Sequence, residues 1–227
     1  MPNSIKKIAL LLLCLVTLTN CSEKILLPNS YYDNSNKVGV LYIIDSIKTT
    51  TTGDQSLFEM IVTGTKRFNK PLKLIDEKIN PKLDIKNLYS YIYNEKNKTL
   101  TEIDYKLDIS RLNEFTKPSK SKKKYYRYDL RFLKSKEIDE LLIVKVEYGL
   151  LVSYDGLIED ELFGNCKIES KIIDLNDNSI IFNDFSTFSE KIKDGWGKNP
   201  PEYPNLKNAI LSAIQKTIDI EKDKFNK

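Results

Sequence analysis

The chain is 227 residues long, with 41% apolar and 30% charged residues and few Gly or Pro, which suits one core-bearing domain and excludes a disordered or fibrous chain. It contains no histidine, so Ser-His-Asp triads, Cys-His dyads and His-ligated zinc are excluded. The basic excess is only +4, far from the concentrated positive field of a nucleic-acid-binding surface, and no nucleic-acid partner is expected.

The first 20 residues read as an export signal, with Lys6-Lys7, an apolar run from Ile8 to Leu18 and a small polar boundary at Thr19-Asn20. The run is too short for a permanent membrane-spanning helix. Leu18-Thr19-Asn20-Cys21 resembles the lipobox of bacterial lipoprotein precursors, which places an aliphatic residue three before the acylated cysteine; Asn20 stands where that pattern carries Gly, Ala or Ser. The resemblance implies a diacylglyceryl Cys21 as the membrane anchor, each buried methylene contributing about 0.8 kcal/mol. Ser22, in place of the Asp of inner-membrane lipoproteins, implies the outer membrane, facing the periplasm. Cleavage removes Lys6, Lys7 and Cys14, leaving 34 basic residues against 32 acidic ones and Cys166 as the one thiol besides Cys21. No intramolecular disulfide is expected, and Cys166, in a predicted strand, reads as a small core residue.

From Ser22 to Lys37 the chain is rich in Asn and Ser and shows no periodicity, so 21–37 is expected to be a flexible tether and 38–227 a single α/β domain. Val38 to Ile44 is apolar on both alternating faces, as in a central strand of a parallel or mixed sheet covered by helices. Leu57 to Thr63 leans to a strand. Pro71 to Ile79 and Asp84 to Tyr93 predict helices, the second with Ile85, Leu88, Tyr89 and Ile92 on one stripe and Asp84 as its cap. Thr99 to Leu107 predicts a short strand, and Tyr125 to Lys134 a helix.

Leu141 to Leu150 predicts a half-buried strand, with Leu142, Val144, Val146 and Tyr148 facing the core and Lys145 and Glu147 outward. Cys166 to Leu175 and Ser179 to Phe188 predict a hairpin turning at Asn176-Asp177-Asn178, residues that accept left-handed conformations. Pro204 to Phe225 carries Leu206, Ile210, Ile214 and Ile218 at four-residue spacing behind a proline suited to a first helical turn. The expected architecture is α/β: a mixed sheet with flanking helices, a hairpin in the C-terminal half and an amphipathic closing helix.

This order resembles periplasmic lipoproteins related to the curli-secretion lipoprotein, the lipoprotein activators of penicillin-binding proteins and the amino-terminal domain of TolB. The matching features are Val38-Gly39-Val40-Leu41, the run Ile138-Asp139-Glu140-Leu141-Leu142-Ile143-Val144, and Ile172-Ile173-Asp174-Leu175 at the end of the first hairpin arm. The resemblance implies an adaptor or assembly role without catalysis.

Lys122, Lys123 and Lys124 with Tyr125, Tyr126 and Tyr128 form a basic aromatic segment, read either as a docking surface for anionic envelope polymer or lipid head groups or as a solvated stretch of a lysine-rich chain. Trp196, between Gly195 and Gly197, is either an exposed partner anchor or a ring folded back over the domain. Asp155, Glu159, Asp160 and Glu161 surround Gly156 at a spacing that matches no calcium ladder, so no metal or cofactor is expected. The leading expectation is a non-catalytic envelope lipoprotein with a protein or polymer partner. A small-molecule or lipid carrier would need a cavity under the closing helix, and a carboxylate-dependent hydrolase would need paired acids in a cleft. If copies assemble edge to edge, the arm from Ser179 to Phe188 is the expected contact.

Overall fold

A computed structural model describes residues 24–52, 65–103, 111–155 and 158–226. The export signal, Cys21 and the expected strand over Leu57 to Thr63 lie outside the described residues. Among the described residues, β1 (Val38–Ile44), β2 (Lys48–Thr52), β3 (Leu100–Glu102), β4 (Glu140–Asp155), β5 (Ile158–Asp174) and β6 (Ile180–Lys191) form one sheet of six strands in the order β3-β1-β4-β5-β6, with β2 paired to β4. The expected α/β class and mixed sheet are both present: β1 runs parallel to β3 and β4, while β4, β5 and β6 pair antiparallel.

β1 and β2 lie end to end along one side of β4, Val38–Ile44 against Glu140–Val146 and Lys48–Thr52 against Gly149–Ser153. Gly149 sits where the second piece joins, at φ +143°, and a Cβ there would stand 2.0 Å from the Lys48 carbonyl oxygen. Only glycine permits that approach.

The helices α1 (Asn69–Asp76), α2 (Pro81–Glu95) and α3 (Pro204–Phe225) share one core with the sheet. The predicted closing helix matches α3 in both bounds, and its stripe Leu206, Ile210, Ile214 and Ile218 is buried. α3 packs on β5 and β6. At Gly164 of β5 the contact is backbone to backbone, since a Cβ there would lie 2.2 Å from the Ala209 carbonyl carbon. α2 starts earlier than expected, and its cap is Asn80, whose side-chain oxygen accepts the Leu83 amide at 3.4 Å, followed by Pro81 at the first helical position. Asp84 therefore lies inside the first turn, where its charge still favours the helix dipole.

Two buried carboxylates tie the layers together. Glu221 of α3 is fully buried and accepts the Tyr89 hydroxyl at 2.7 Å, the Ser186 hydroxyl at 2.6 Å and the Ser170 hydroxyl. Glu140 at the start of β4 accepts the Tyr31 hydroxyl at 2.7 Å and the Asn36 side-chain amide at 2.6 Å. Neutral donors from several elements thus offset the desolvation of each acid.

Glu140 also accounts for a departure from the sequence reading. The segment expected to be a tether is packed from Ile25 onward: Ile25 and Asn183 exchange backbone hydrogen bonds of 2.8 and 2.9 Å at the β6 edge, a 3-10 turn spans Asn29–Asp33, and Tyr31 is buried against Tyr93. One aromatic plug and one bridge leave no periodicity for a sequence pattern to register.

Candidate functional site

Among the described residues, the opposite sheet face is covered at one end. There Leu41, Leu141, Ile143, Ile173 and Leu175 form a second core with Leu130, Leu133 and Ile138 from the segment that crosses the sheet. The helix predicted over Tyr125 to Lys134 is absent; Tyr125 and Tyr128 make isolated bridges to Ser179 and Glu114, and only Arg131–Lys136 winds into a 3-10 helix. The physical reason is that the hairpin turn takes the backbone groups a helix would need. The Lys124 carbonyl accepts the Ile180 amide at 2.9 Å and the Tyr126 amide donates to the Asn178 carbonyl at 3.0 Å.

Asn178 holds the rest of the segment. At φ +66° it occupies the left-handed region that asparagine tolerates, and its fully buried side chain accepts the Leu130 amide and donates to the Tyr126 and Tyr128 carbonyls.

Beyond Tyr126 no described residue covers β4, β5 and β6, and a cleft of about 320 Å³ lies over them. Ile43, Ile143 and Phe185 supply its apolar surface, Lys145, Glu169 and Lys171 its charge, and Tyr126 one wall. The Lys171 ammonium stands 5.3 Å from the Tyr126 ring centroid and makes no ion pair among the described residues. Burial pulls its pKa below the usual lysine range, with Glu169 opposing that shift. Lys145 behaves in the opposite way: its hydrogen bond to Glu147, 2.8 Å long, raises its pKa. The Tyr126 hydroxyl is raised, first by burial and then by the neighbouring Tyr128. An amphipathic groove with one desolvated cation against a ring is suited to an anionic or aromatic-bearing segment.

The residues singled out in the sequence are distributed unevenly around this cleft. Tyr126 lines it, and Tyr128 meets Tyr126 edge to face at 6.2 Å. Tyr125 instead stacks on Phe115 at 5.3 Å and donates to the Ser121 hydroxyl. Lys122, Lys123 and Lys124 are exposed, and Lys123 pairs with Asp177 at 2.7 Å. Arg127 and Arg131 pair with Glu114 and Asp129. Much of the apparent basic patch is therefore neutralised locally.

Trp196 belongs to the helix-bearing core instead, half-buried with its ring 5.0 Å from Phe68 and 6.2 Å from Tyr203. Asp155 and Asp160 end up in β4 and β5, and Glu161 pairs with Lys191, so this acidic stretch forms strand more than connection. Among the described residues no group of three His, Cys, Asp or Glu side chains could hold a metal, and no helix is long and apolar enough to cross a membrane. Cys166 is buried, and desolvation pushes its thiol up to about 12.

Sequence reasoning missed Lys171, Lys145, Ile43 and Phe185 as one surface. Their signal was the outward alternation of β5, Lys167-Glu169-Lys171, beside Lys145-Glu147 of β4, which marks a face without marking what covers it.

No protein-family model matches the chain, and no curated protein is similar to it. Among solved structures it is similar to a hypothetical protein from Chlamydia trachomatis, at 9% identity over 85% of this chain and 98% of that one, TM-score 0.34. It is similar also to a protein from Xanthomonas campestris, at 9% identity over 90% and 91%, TM-score 0.37. A lipoprotein from Neisseria meningitidis matches at 10% identity over 79% and 99%, TM-score 0.30. All three are bacterial, and at these TM-scores the likeness bears on neither the cleft nor its occupant.

Proposed function

We propose that this protein is a bacterial envelope lipoprotein, anchored through an acylated Cys21, that acts without catalysis by docking an anionic segment of an envelope protein or polymer in the cleft beside Tyr126. The observation that supports docking most is Lys171, a desolvated ammonium held against a ring and lacking an ion-pair partner among the described residues. An arriving carboxylate or phosphate would supply the missing counter-charge, while Ile43 and Ile143 offer apolar contact around it.

A second reading is carriage of a small ligand. It is favoured by the cleft volume of about 320 Å³, within the usual range for small-molecule sites of roughly 300–1,000 Å³. The carrier site would then be this outer cleft, because α3 meets β5 at Gly164 with no room for a side chain.

The test has two arms. Metabolic labelling with an alkynyl fatty acid should mark the wild-type protein and leave Cys21→Ala unmarked. Crosslinked pull-downs should recover an envelope partner with the wild type and lose it with Lys171→Glu. Recovery of a lipid or glycan without protein would favour the carrier reading, and unchanged recovery with Lys171→Glu would overturn the cleft as the docking site.

A further inference from the structure

The packed N-terminal segment restricts how the domain can stand on a membrane. Three residues separate Cys21 from Ile25, and Ile25 is fixed to Asn183 on the β6 edge. At a reach of about 3.6 Å per residue, four steps hold an anchor on Cys21 within about 14 Å of that bridge. A domain on so short a leash has this edge next to the bilayer surface.

The same edge carries exposed apolar side chains. Leu26 is 68% exposed and Phe185 47% exposed. They occupy opposite flanks: Leu26 borders a groove with Tyr32 and Phe225 on the helix side, and Phe185 borders the cleft on the other side. Between them Lys24 and Lys224 share Asp184 at 2.8 and 3.1 Å, so two cations face one carboxylate, and Lys167 lies 5.0 Å from the Phe185 ring, paired with Glu169. Apolar tips beside lysines with aliphatic stems are the side-chain set that partitions into a headgroup boundary.

We infer that the β6 edge, with Leu26 and Phe185 on its flanks and Lys24 and Lys224 between them, rests on the lipid surface that holds Cys21. This rests on the anchoring reading above. Leu26 and Phe185 dip into the headgroup region, the exposed Lys24 meets lipid phosphate while Lys224 stays on Asp184 and the Phe185 carbonyl, and the opposite edge at β3 points away from the bilayer.

The experiment supplies the anchor chemically, so that it tests the surface separately from natural acylation. The chain from Cys21 onward is coupled to a maleimide phospholipid in phosphatidylethanolamine and phosphatidylglycerol vesicles; buried Cys166, with its thiol pushed up to about 12, is left unreacted. In a Trp196→Phe background, single reporters Leu26→Trp, Phe185→Trp and Leu83→Trp are compared; each replaces an exposed side chain, and Leu83 is on α2, which packs beside β3. With lipids brominated on the acyl chain, most of the emission at positions 26 and 185 should be lost, with a blue shift, and position 83 should be unaffected. Equal quenching at all three positions, or quenching at 83 alone, would overturn the proposed face. The mass of the Cys21 peptide from native cells reports on acylation independently.

Discussion

Asn178 and Leu130, 48 residues apart in the chain, meet in a 3.0 Å hydrogen bond from the Leu130 amide to the Asn178 side-chain oxygen. Through this contact a hairpin turn fixes the wall of the cleft, because the same side chain also donates to the carbonyls of Tyr126 and Tyr128. Asn178→Ala removes the acceptor and both donors from a buried site and places a Cβ residue without local compensation at φ +66°. The expected loss is about 1–3 kcal/mol in urea unfolding. Asn178→Gly should relieve the backbone cost alone and stay well below wild type.

The approach of α3 to β5 gives a second test. Gly164→Ala forces a methyl into the Ala209 backbone and should lower stability by about 1–3 kcal/mol, the usual penalty of overpacking, read as a lower denaturant midpoint at unchanged slope. Wild-type stability in this variant would mean that α3 stands off the sheet and that space for a ligand exists beneath it.

Asp184 predicts a pH dependence with a defined sign. Burial alone would raise its carboxyl, but hydrogen bonds from Lys24, the Phe185 amide and Lys224 outweigh that and hold it below the usual carboxylate range. A folded pKa below the unfolded value of about 3.9 means that its contribution is fully present above that value and is lost as pH falls through the lower folded value. Asp184→Asn should therefore unfold more easily than wild type at pH 7 and lose that deficit as both are acidified. A deficit that persists unchanged at low pH would contradict the ion-pair origin.

Cys166 should not react with a thiol-specific disulfide reagent in the native protein and should react fully once the chain is unfolded, since burial both shields the sulfur and pushes its pKa up to about 12. Rapid native labelling of this position would place β5 nearer solvent than its packing against α3 allows.

The strand and helix periodicities of the C-terminal half were legible because burial repeats there: Leu142 to Tyr148 alternate, and Leu206 to Ile218 recur every four residues. The 16- and 17-residue lengths of β4 and β5 were not, because Asp155, Glu159, Asp160 and Glu161 around Gly156 have the composition of a connection, although Leu150, Val152 and Tyr154 carry the buried alternation on through β4. Tyr125 to Lys134 was expected to be a helix, yet its conformation is set by Asn178 and Ile180, partners that no local window contains. The cleft escaped for the same reason. Lys145 and Lys171 belong to different strands, and the pairing of Ile143 with Lys171 that brings them onto one face is a tertiary fact.

Docking beside Tyr126 can be read from a photo-crosslinking amino acid placed at position 126 in living cells, with position 196 as the comparison. A partner in the cleft gives a specific adduct from position 126 that disappears with Lys171→Glu, and none from 196, where the ring packs against Phe68 and Tyr203. An adduct from 196 alone would move the interaction to the helix-bearing side and overturn docking in the cleft.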